Sequence, residues 1–224
     1  MRLTVLMPSC DWPRGSGMLN PNTPLAIRSV LDSGVEPVEL WIGLDGDQDA
    51  IESHIASLKD PRITVFRFDK TADSGNTQRH LLMQAMVERG QRGLFCFHDD
   101  DDAYADDGLK AMHDLSVENG VVPVLARHYR PLLSELDTRE HIQYATGIRG
   151  RFHIPLSFAA SVFPIMEGLP LWPKGGGYYD DLPYANELFT WFEKQGKQVL
   201  LLDKIVARLR PTDLIGSSVP EFHA

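Results

Sequence analysis

The stretch Leu94-Phe95-Cys96-Phe97-His98-Asp99-Asp100-Asp101-Asp102 decides the reading of this chain. Four apolar residues in a row are too short for a helix, and charge bounds them downstream, so they predict a strand buried on both faces of a sheet. The aspartates then emerge at the strand's carboxyl end, the edge at which open α/β sheets bind ligands. Packed carboxylates repel one another unless a cation lies among them, and hard oxygen ligands suit Mg²⁺ or Mn²⁺. An acidic run also serves as a solvated loop or a helix cap, and Asp106 or Asp107 is placed to cap the next helix.

Working towards the amino terminus, Arg62 to Phe68 alternates as a strand, and Asn76 to Arg89 reads as a helix ended by Gly90. Its inward set is Leu81, Leu82, Ala85 and Met86. Glu39 to Leu44 is a further strand and runs into Asp45-Gly46-Asp47-Gln48-Asp49, a second acidic strand end. Asp45 fits an Asp-Gly turn as well as a ligand site, and Asp47 or Asp49 is expected to cap a helix reaching Leu58. Leu3 to Met7 forms the first strand, stopped by Pro8. A long polar loop to Asn22 follows, with Ser9, Cys10 and Asp11 where a strand-end ligand would be met. Thr23 is expected to cap a helix with Pro24 at its first position, Leu25, Ile27, Val30 and Leu31 as its apolar set, and Gly34 as its end.

On the carboxyl side, a helix from about Asp107 to Asn119 and a strand from Val121 to Ala126 complete a β-α alternation, which implies a mostly parallel sheet with helices on both faces. Arg127 to Gly150 is polar and irregular, and Pro155, Pro164 and Pro170 interrupt the next segment. Order returns at Lys174-Gly175-Gly176-Gly177-Tyr178-Tyr179-Asp180-Asp181, which leads into a helix with Leu182, Ala185, Leu188, Phe189 and Phe192 at helical spacing. Gln198 to Leu202 is a last strand, with Arg208-Leu209-Arg210 beyond it.

The 224 residues fit one α/β domain. A net charge of −9 argues against a surface built for non-specific phosphate-backbone binding. Two distant cysteines, Cys10 and Cys96, indicate neither a disulfide framework nor a zinc site. No apolar run approaches the roughly 18 residues of a membrane span, and a soluble cytoplasmic protein is expected. The histidines show no metal-ligand spacing.

Taken together, these stretches resemble the nucleotide-sugar-dependent glycosyltransferases of the GT-A fold, family 2. Val5-Leu6-Met7-Pro8 is similar to the family's opening strand and proline. Leu44-Asp45-Gly46-Asp47-Gln48-Asp49 resembles its second-strand signature, whose Asp contacts the nucleotide base. Gly75 followed by Arg79 resembles the segment whose Arg lies beside the uracil, with His80 where the family commonly has Asn. The Asp-x-Asp metal motif falls on Asp99 and Asp101, with Asp102 as the third acid. Asp180-Asp181 resembles the family's Glu-Asp pair, in which the second carboxylate is the general base; the first position departs from Glu. A metal-binding His often follows the family's last strand, where this chain has Arg208-Leu209-Arg210-Pro211.

The resemblance implies a single GT-A domain, residues 1–126 binding nucleotide-sugar and metal and 127–224 binding acceptor and supplying the base. It implies Mn²⁺ or Mg²⁺ and a UDP-sugar donor contacted by Pro8, Ser9, Asp11, Asp45, Arg79, Asp99 and Asp100. Asp181 becomes the catalytic base, and Asp180, Arg208 and Arg210 become contacts to phosphate or acceptor. The acceptor stays open among a glycan, a small molecule, a protein and a modified nucleic-acid base. Three alternatives compete with this reading: an Asp-x-Asp phosphotransferase, whose motif belongs on a first strand; a nucleotidyltransferase, for which Arg14-Gly15-Ser16-Gly17 is a poor phosphate loop; and a sugar-nucleotide-binding module without turnover.

Overall fold

In the computed structural model the described residues are 1–11, 16–71, 73, 75–130, 141–143, 146–148, 151–153, 160–174 and 181–209. The element order is β1 (Leu3–Ser9), α1 (Thr23–Leu31), β2 (Val38–Asp45), α2 (Asp49–Leu58), β3 (Ile63–Phe68), α3 (Asn76–Glu88), β4 (Leu94–Phe97), β5 (Asp102–Tyr104), α4 (Gly108–Glu118), β6 (Val124–Arg130), β7 (His141–Gln143), β8 (Thr146–Ile148), β9 (Arg151–His153), β10 (Ser161–Pro164), α5 (Asp181–Lys194) and β11 (Leu200–Leu209).

The main sheet has the order β3-β2-β1-β4-β10-β6-β11-β5, with β7 on the flank of β6. Strands β3, β2, β1 and β4 are mutually parallel, as the β-α alternation predicts. Leu6 stands beside Trp41 on one side and Phe97 on the other. The carboxyl ends of these strands therefore share one edge, which carries Asp45 and Asp99.

Both sheet faces are covered, and the period-2 pleat sorts the residues between them. Leu3, Val5 and Met7 join Ala26, Ile27, Val30, Ile51, Leu109 and Met112, from α1, α2 and α4. Leu6, Trp41, Phe95 and Phe97 join Leu82, Met83 and Met86 of α3 and Tyr184, Leu188, Phe189 and Phe192 of α5. Each fully buried Leu or Phe contributes about 1.5–3 kcal/mol by leaving water. Cys96 is buried in the first of these cores, its Sγ 3.4 Å from the Tyr104 hydroxyl.

The second half departs from a simple alternation. β10 enters between β4 and β6 antiparallel to both, and β5 closes the far edge antiparallel to β11. The sequence reading missed β5 because it lies inside the acidic run, and it placed the next strand at 121–126 where β6 runs from Val124 to Arg130. Strand β11 extends from Leu200 to Leu209, well past Leu202, through register shifts between Leu202 and Ala207. Polar Asp203 and Lys204 sit at that irregularity, and their presence hid its continuation.

Helix starts also differ from expectation. Thr23 is the first residue of α1 rather than its cap, and its buried hydroxyl has no hydrogen-bond partner among the described residues. Leu25 is 43% exposed, and Thr23 and Ala26 are buried where the apolar pattern placed Leu25. Gln48, not Asp47 or Asp49, precedes α2. Asp107 occupies the cap position of α4 but makes no side-chain cap bond; its carboxylate takes Lys204 Nζ at 2.6 Å. Gly108 is required for packing, since a Cβ there would lie 2.3 Å from the Val206 carbonyl oxygen.

Candidate active site

The site is built at the carboxyl ends of β1, β2 and β4. Beyond Phe97 the chain turns through Asp99-Asp100-Asp101 into β5, and this turn brings Asp99, Asp101 and Asp102 together. One carboxylate oxygen from each lies within 4.8 Å of the others. Asp102 is buried and the other two are half-buried. Three carboxylates at that spacing repel one another in a partly dry pocket. Part of the compensation comes from the Arg79 guanidinium of α3, which pairs with Asp99.

Asp100, between the ligand candidates, faces the other way. Its Oδ2 accepts the Ser9 hydroxyl at 2.6 Å and the Cys10 backbone N–H at 3.3 Å, so it pins the acidic turn to the end of β1. Burial pushes its carboxyl up to about 7, the charge of Asp101 adds to the shift, and the Ser9 hydroxyl opposes it. Pro8 lies against the first turn of α3. Gly75 precedes that helix with φ +84°, and a Cβ on it would meet Pro8 Cβ at 3.0 Å and Arg79 Nη1 at 3.1 Å. Only glycine combines that backbone with so close an approach.

Asp45, buried at the end of β2, is held by three donors that converge on Oδ1. These are the Thr71 N–H at 2.5 Å, Gln78 Nε2 at 2.7 Å and the Thr71 hydroxyl at 3.2 Å. Gln48 ties the two strand ends together by donating to the carbonyls of Ser9 at 3.1 Å and Asp45 at 3.2 Å. Asp73 fixes the same loop onto α3 by accepting Thr77 N–H and Thr77 Oγ1. Asp11, just past β1, accepts the Gly17 N–H at 2.9 Å and so closes the base of the loop after β1.

Trp172 joins this arrangement to the second half of the chain. Its ring is buried against Phe97 and Tyr184, at centroid distances of 5.0 and 4.8 Å, and Arg79 Cζ stands 5.0 Å above it. The indole N–H donates to Asn76 Oδ1 at 3.0 Å, and His80 Nδ1 donates to the Trp172 carbonyl at 2.6 Å. Arg79 thus bridges an acid of the triad and an indole nine residues before the start of α5. His98 lies buried directly before the triad, stacked on Tyr104 at 4.5 Å. Burial holds its imidazole down to about 4. Asp99 and the Ala26 backbone pull the other way.

The fold thus brings together Pro8, Ser9, Asp45, Arg79, Asp99, Asp100, Asp101 and Asp102. Asp181 is the first residue of α5, whose Tyr184 hydroxyl donates to the Pro170 carbonyl at 3.0 Å. Arg208 is half-buried on β11 opposite Ala103, while Leu209 stands opposite Asp102. The pleat puts the Arg208 side chain on the face away from that of Asp102. Asp180 and Arg210 lie outside the described residues. Gln48, Thr71, Gln78 and Trp172 were missed by the sequence reading. Gln48 was in view inside the acidic strand end, and Trp172 stands just before the glycine run, but neither belongs to a motif that carries chemistry.

The comparisons with known proteins agree with this geometry. Residues 20–166, more than half of the chain, match the profile of Glycosyl transferase family 2. The crystal structure of S. aureus TarS 1–349 superposes with a TM-score of 0.66 at 12% identity, covering 95% of this chain and 61% of that one. TarS 1–349 in complex with UDP-GlcNAc gives 0.59 at 13% identity, covering 93% and 58%. The mannosyltransferase PcManGT from Pyrobaculum calidifontis, in complex with GDP-Man and Mn²⁺, gives 0.56 at 13% identity, covering 93% and 56%. The chain therefore spans about three fifths of the length of these structures. No curated protein sequence matches it. Among the described residues no helix is long and apolar enough to cross a membrane. The mixed α/β sheet is that of the GT-A glycosyltransferases, and the chain belongs to glycosyl transferase family 2.

Proposed function

We propose that this protein transfers a sugar from a nucleotide-sugar donor to an acceptor hydroxyl with inversion, in a reaction that depends on a divalent ion. One observation carries the reading: the convergence of Asp99, Asp101 and Asp102 on the same sheet edge as Asp45. The triad offers hard oxygen ligands whose mutual repulsion a cation would relieve, which fits Mg²⁺ or Mn²⁺. Asp99 and Asp101 would hold the ion, with Asp102 behind them. Bound there, such an ion would neutralise the charge that gathers on a departing diphosphate.

The chain's own residues supply the rest. Asp45 reads the base of a UDP donor, and Pro8, Ser9 and Asp11 shape the floor of its pocket. Asp100 keeps the acidic turn in register with β1. Arg79, held on Trp172, places a fixed positive charge beside the donor and orients Asp99. Asp181, at the start of α5, accepts the proton of the attacking hydroxyl. Asp180 and Arg210 contribute charge around the phosphates or acceptor. In this reading residues 1–126 bind the donor and 127–224 bind the acceptor, whose class among glycan, small molecule, protein and modified base stays open.

The test is a screen of nucleotide sugars for Mn²⁺-dependent thermal stabilisation. Selective binding at 100 times Kd stabilises a fold by about 2.7 kcal/mol. At least one donor is expected to raise Tm with Mn²⁺ and to lose that effect in Asp101→Asn. Absence of stabilisation by every nucleotide sugar, with and without metal, would overturn the reading.

A further inference from the structure

We propose that Asp45 reads the donor base through one oxygen only, and that Thr71 and Gln78 are the positioning residues that make uracil the preferred base. The proposal rests on the assignment of Asp45 to the nucleotide base and adds to it the cause of the selectivity.

A carboxylate oxygen has about two lone-pair sites. Oδ1 of Asp45 already accepts the Thr71 N–H and Gln78 Nε2, and the Thr71 hydroxyl, which has a single proton, divides it between Asp45 Oδ1 and Asp73 Oδ1. Oδ1 is saturated. Among the described residues, no donor reaches Oδ2. The clamp is rigid: Gln78 has no exposed surface, Asp45 is 8% exposed, and Gln48 fixes the Asp45 carbonyl. The carboxylate cannot turn over without breaking two N–H bonds at a buried charge.

A single outward acceptor discriminates among bases. Uracil offers one donor on its pairing edge, N3–H, which one oxygen satisfies. Guanine offers N1–H and N2–H side by side and is met fully only by a carboxylate with both oxygens free. Cytosine turns an N3 lone pair towards the acceptor and is repelled.

The same geometry predicts the outcome of Asp45→Asn. Thr71 N–H and Gln78 Nε2 are both donors, so they admit only the amide oxygen at the Oδ1 position, and the amide NH₂ must point outward. The outward group then changes from acceptor to donor, which suits cytosine N3 and clashes with uracil N3–H.

The experiment measures Kd for UDP, CDP and GDP by calorimetry in the presence of Mn²⁺, on the full chain and its variants. The wild type is expected to bind UDP at least about tenfold more tightly than CDP or GDP, the size of one hydrogen bond to a charged group. Asp45→Asn should invert the UDP:CDP order. Gln78→Met, which removes one clamp at similar volume, should lower the UDP:GDP ratio by about tenfold. Thr71→Val, which keeps the N–H, serves if the buried Met variant fails to fold, and should lower that ratio in the same direction. Asp45→Asn with unchanged base order, or clamp variants that weaken all three nucleotides equally, would overturn the inference while leaving the donor-site assignment in place. A wild type that binds none of the three would overturn both.

Discussion

The two halves of this molecule reach the same site by different means. In residues 1–126, the strand ends are joined by side chains: Ser9 to Asp100, Gln48 to Ser9 and Asp45, Gln78 to Asp45, Arg79 to Asp99. In the second half, α5 packs through an apolar face on Phe97, Met83 and Trp172, and Trp172 carries that contact on to Arg79. The first arrangement presets a binding geometry, because the side chains that make these bonds are already oriented before a ligand arrives. The second places a helix start without fixing what approaches it, which suits the acceptor role proposed for this half.

The comparison breaks hardest at Asp181. As the base, Asp181→Asn is expected to lower sugar transfer by roughly 10²- to 10⁴-fold while Kd for the donor stays unchanged. Because Asn caps a helix about as well as Asp, a capping role would leave both transfer and Tm nearly intact. Near-normal transfer would therefore remove the second half from the chemistry. On the donor side, Asp101→Asn should weaken Mn²⁺ binding by about 10- to 100-fold, the usual scale for disturbing a metal site, as read by electron paramagnetic resonance of free Mn²⁺. The apo fold should hold or gain Tm, since one of three repelling carboxylates is removed.

The join itself is tested by Trp172→Phe. Losing the indole N–H bond to Asn76 and part of the Arg79 stacking should cost about 1–2 kcal/mol in urea denaturation. Donor affinity should fall with it if Arg79 is held in place by that ring. An unchanged donor Kd would mean that the two halves are coupled only through packing.

The smallest effect concerns His98, buried beside the triad. Its folded-state imidazole lies well below its ordinary value, at about 4, so the unfolded chain binds the proton first as acid is added. Stability from this group is complete above about pH 6.5 and is lost as pH falls towards 4. His98→Phe keeps a ring against Tyr104 and removes that titration, so its Tm should fall less steeply than that of the wild type between pH 6.5 and 4.5. Parallel slopes would show that acid unfolding starts elsewhere.

These tests fall on residues of very different visibility in the sequence. The parallel strands and the acidic triad were legible because burial on two faces leaves continuous apolar runs, and charges at their ends stand out against them. Short elements were not. β5 is three residues with an aspartate first, and β10 ends in a proline; both are strands only because β11, β4 and β6 supply their partners. Helix starts were misread at Thr23 and at Asp47 or Asp49, and Asp107 holds the cap position of α4 without a cap bond, for a related reason. Capping propensity is local, whereas here Gln48 answers to two strand ends and Asp107 to Lys204. The family resemblance found Asp45 and Arg79, yet nothing in composition or spacing singles out Gln78 or Thr71. Their role exists only once β2, the loop after β3 and α3 meet.

Cys96 gives the fold an internal clock. Burial pushes its thiol up to about 12, against a weaker pull from the Tyr104 hydroxyl, so at neutral pH almost no thiolate is present to react with an alkylating reagent. Cys10, half-buried just past β1 with its backbone N–H on Asp100, is the other cysteine outside a disulfide. The labelling rate at Cys96 therefore reports how often the central sheet opens, and the rate at Cys10 reports how often the strand-end loop does. Measured with and without nucleotide, the pair separates a ligand that stiffens one loop from one that slows the breathing of the whole domain.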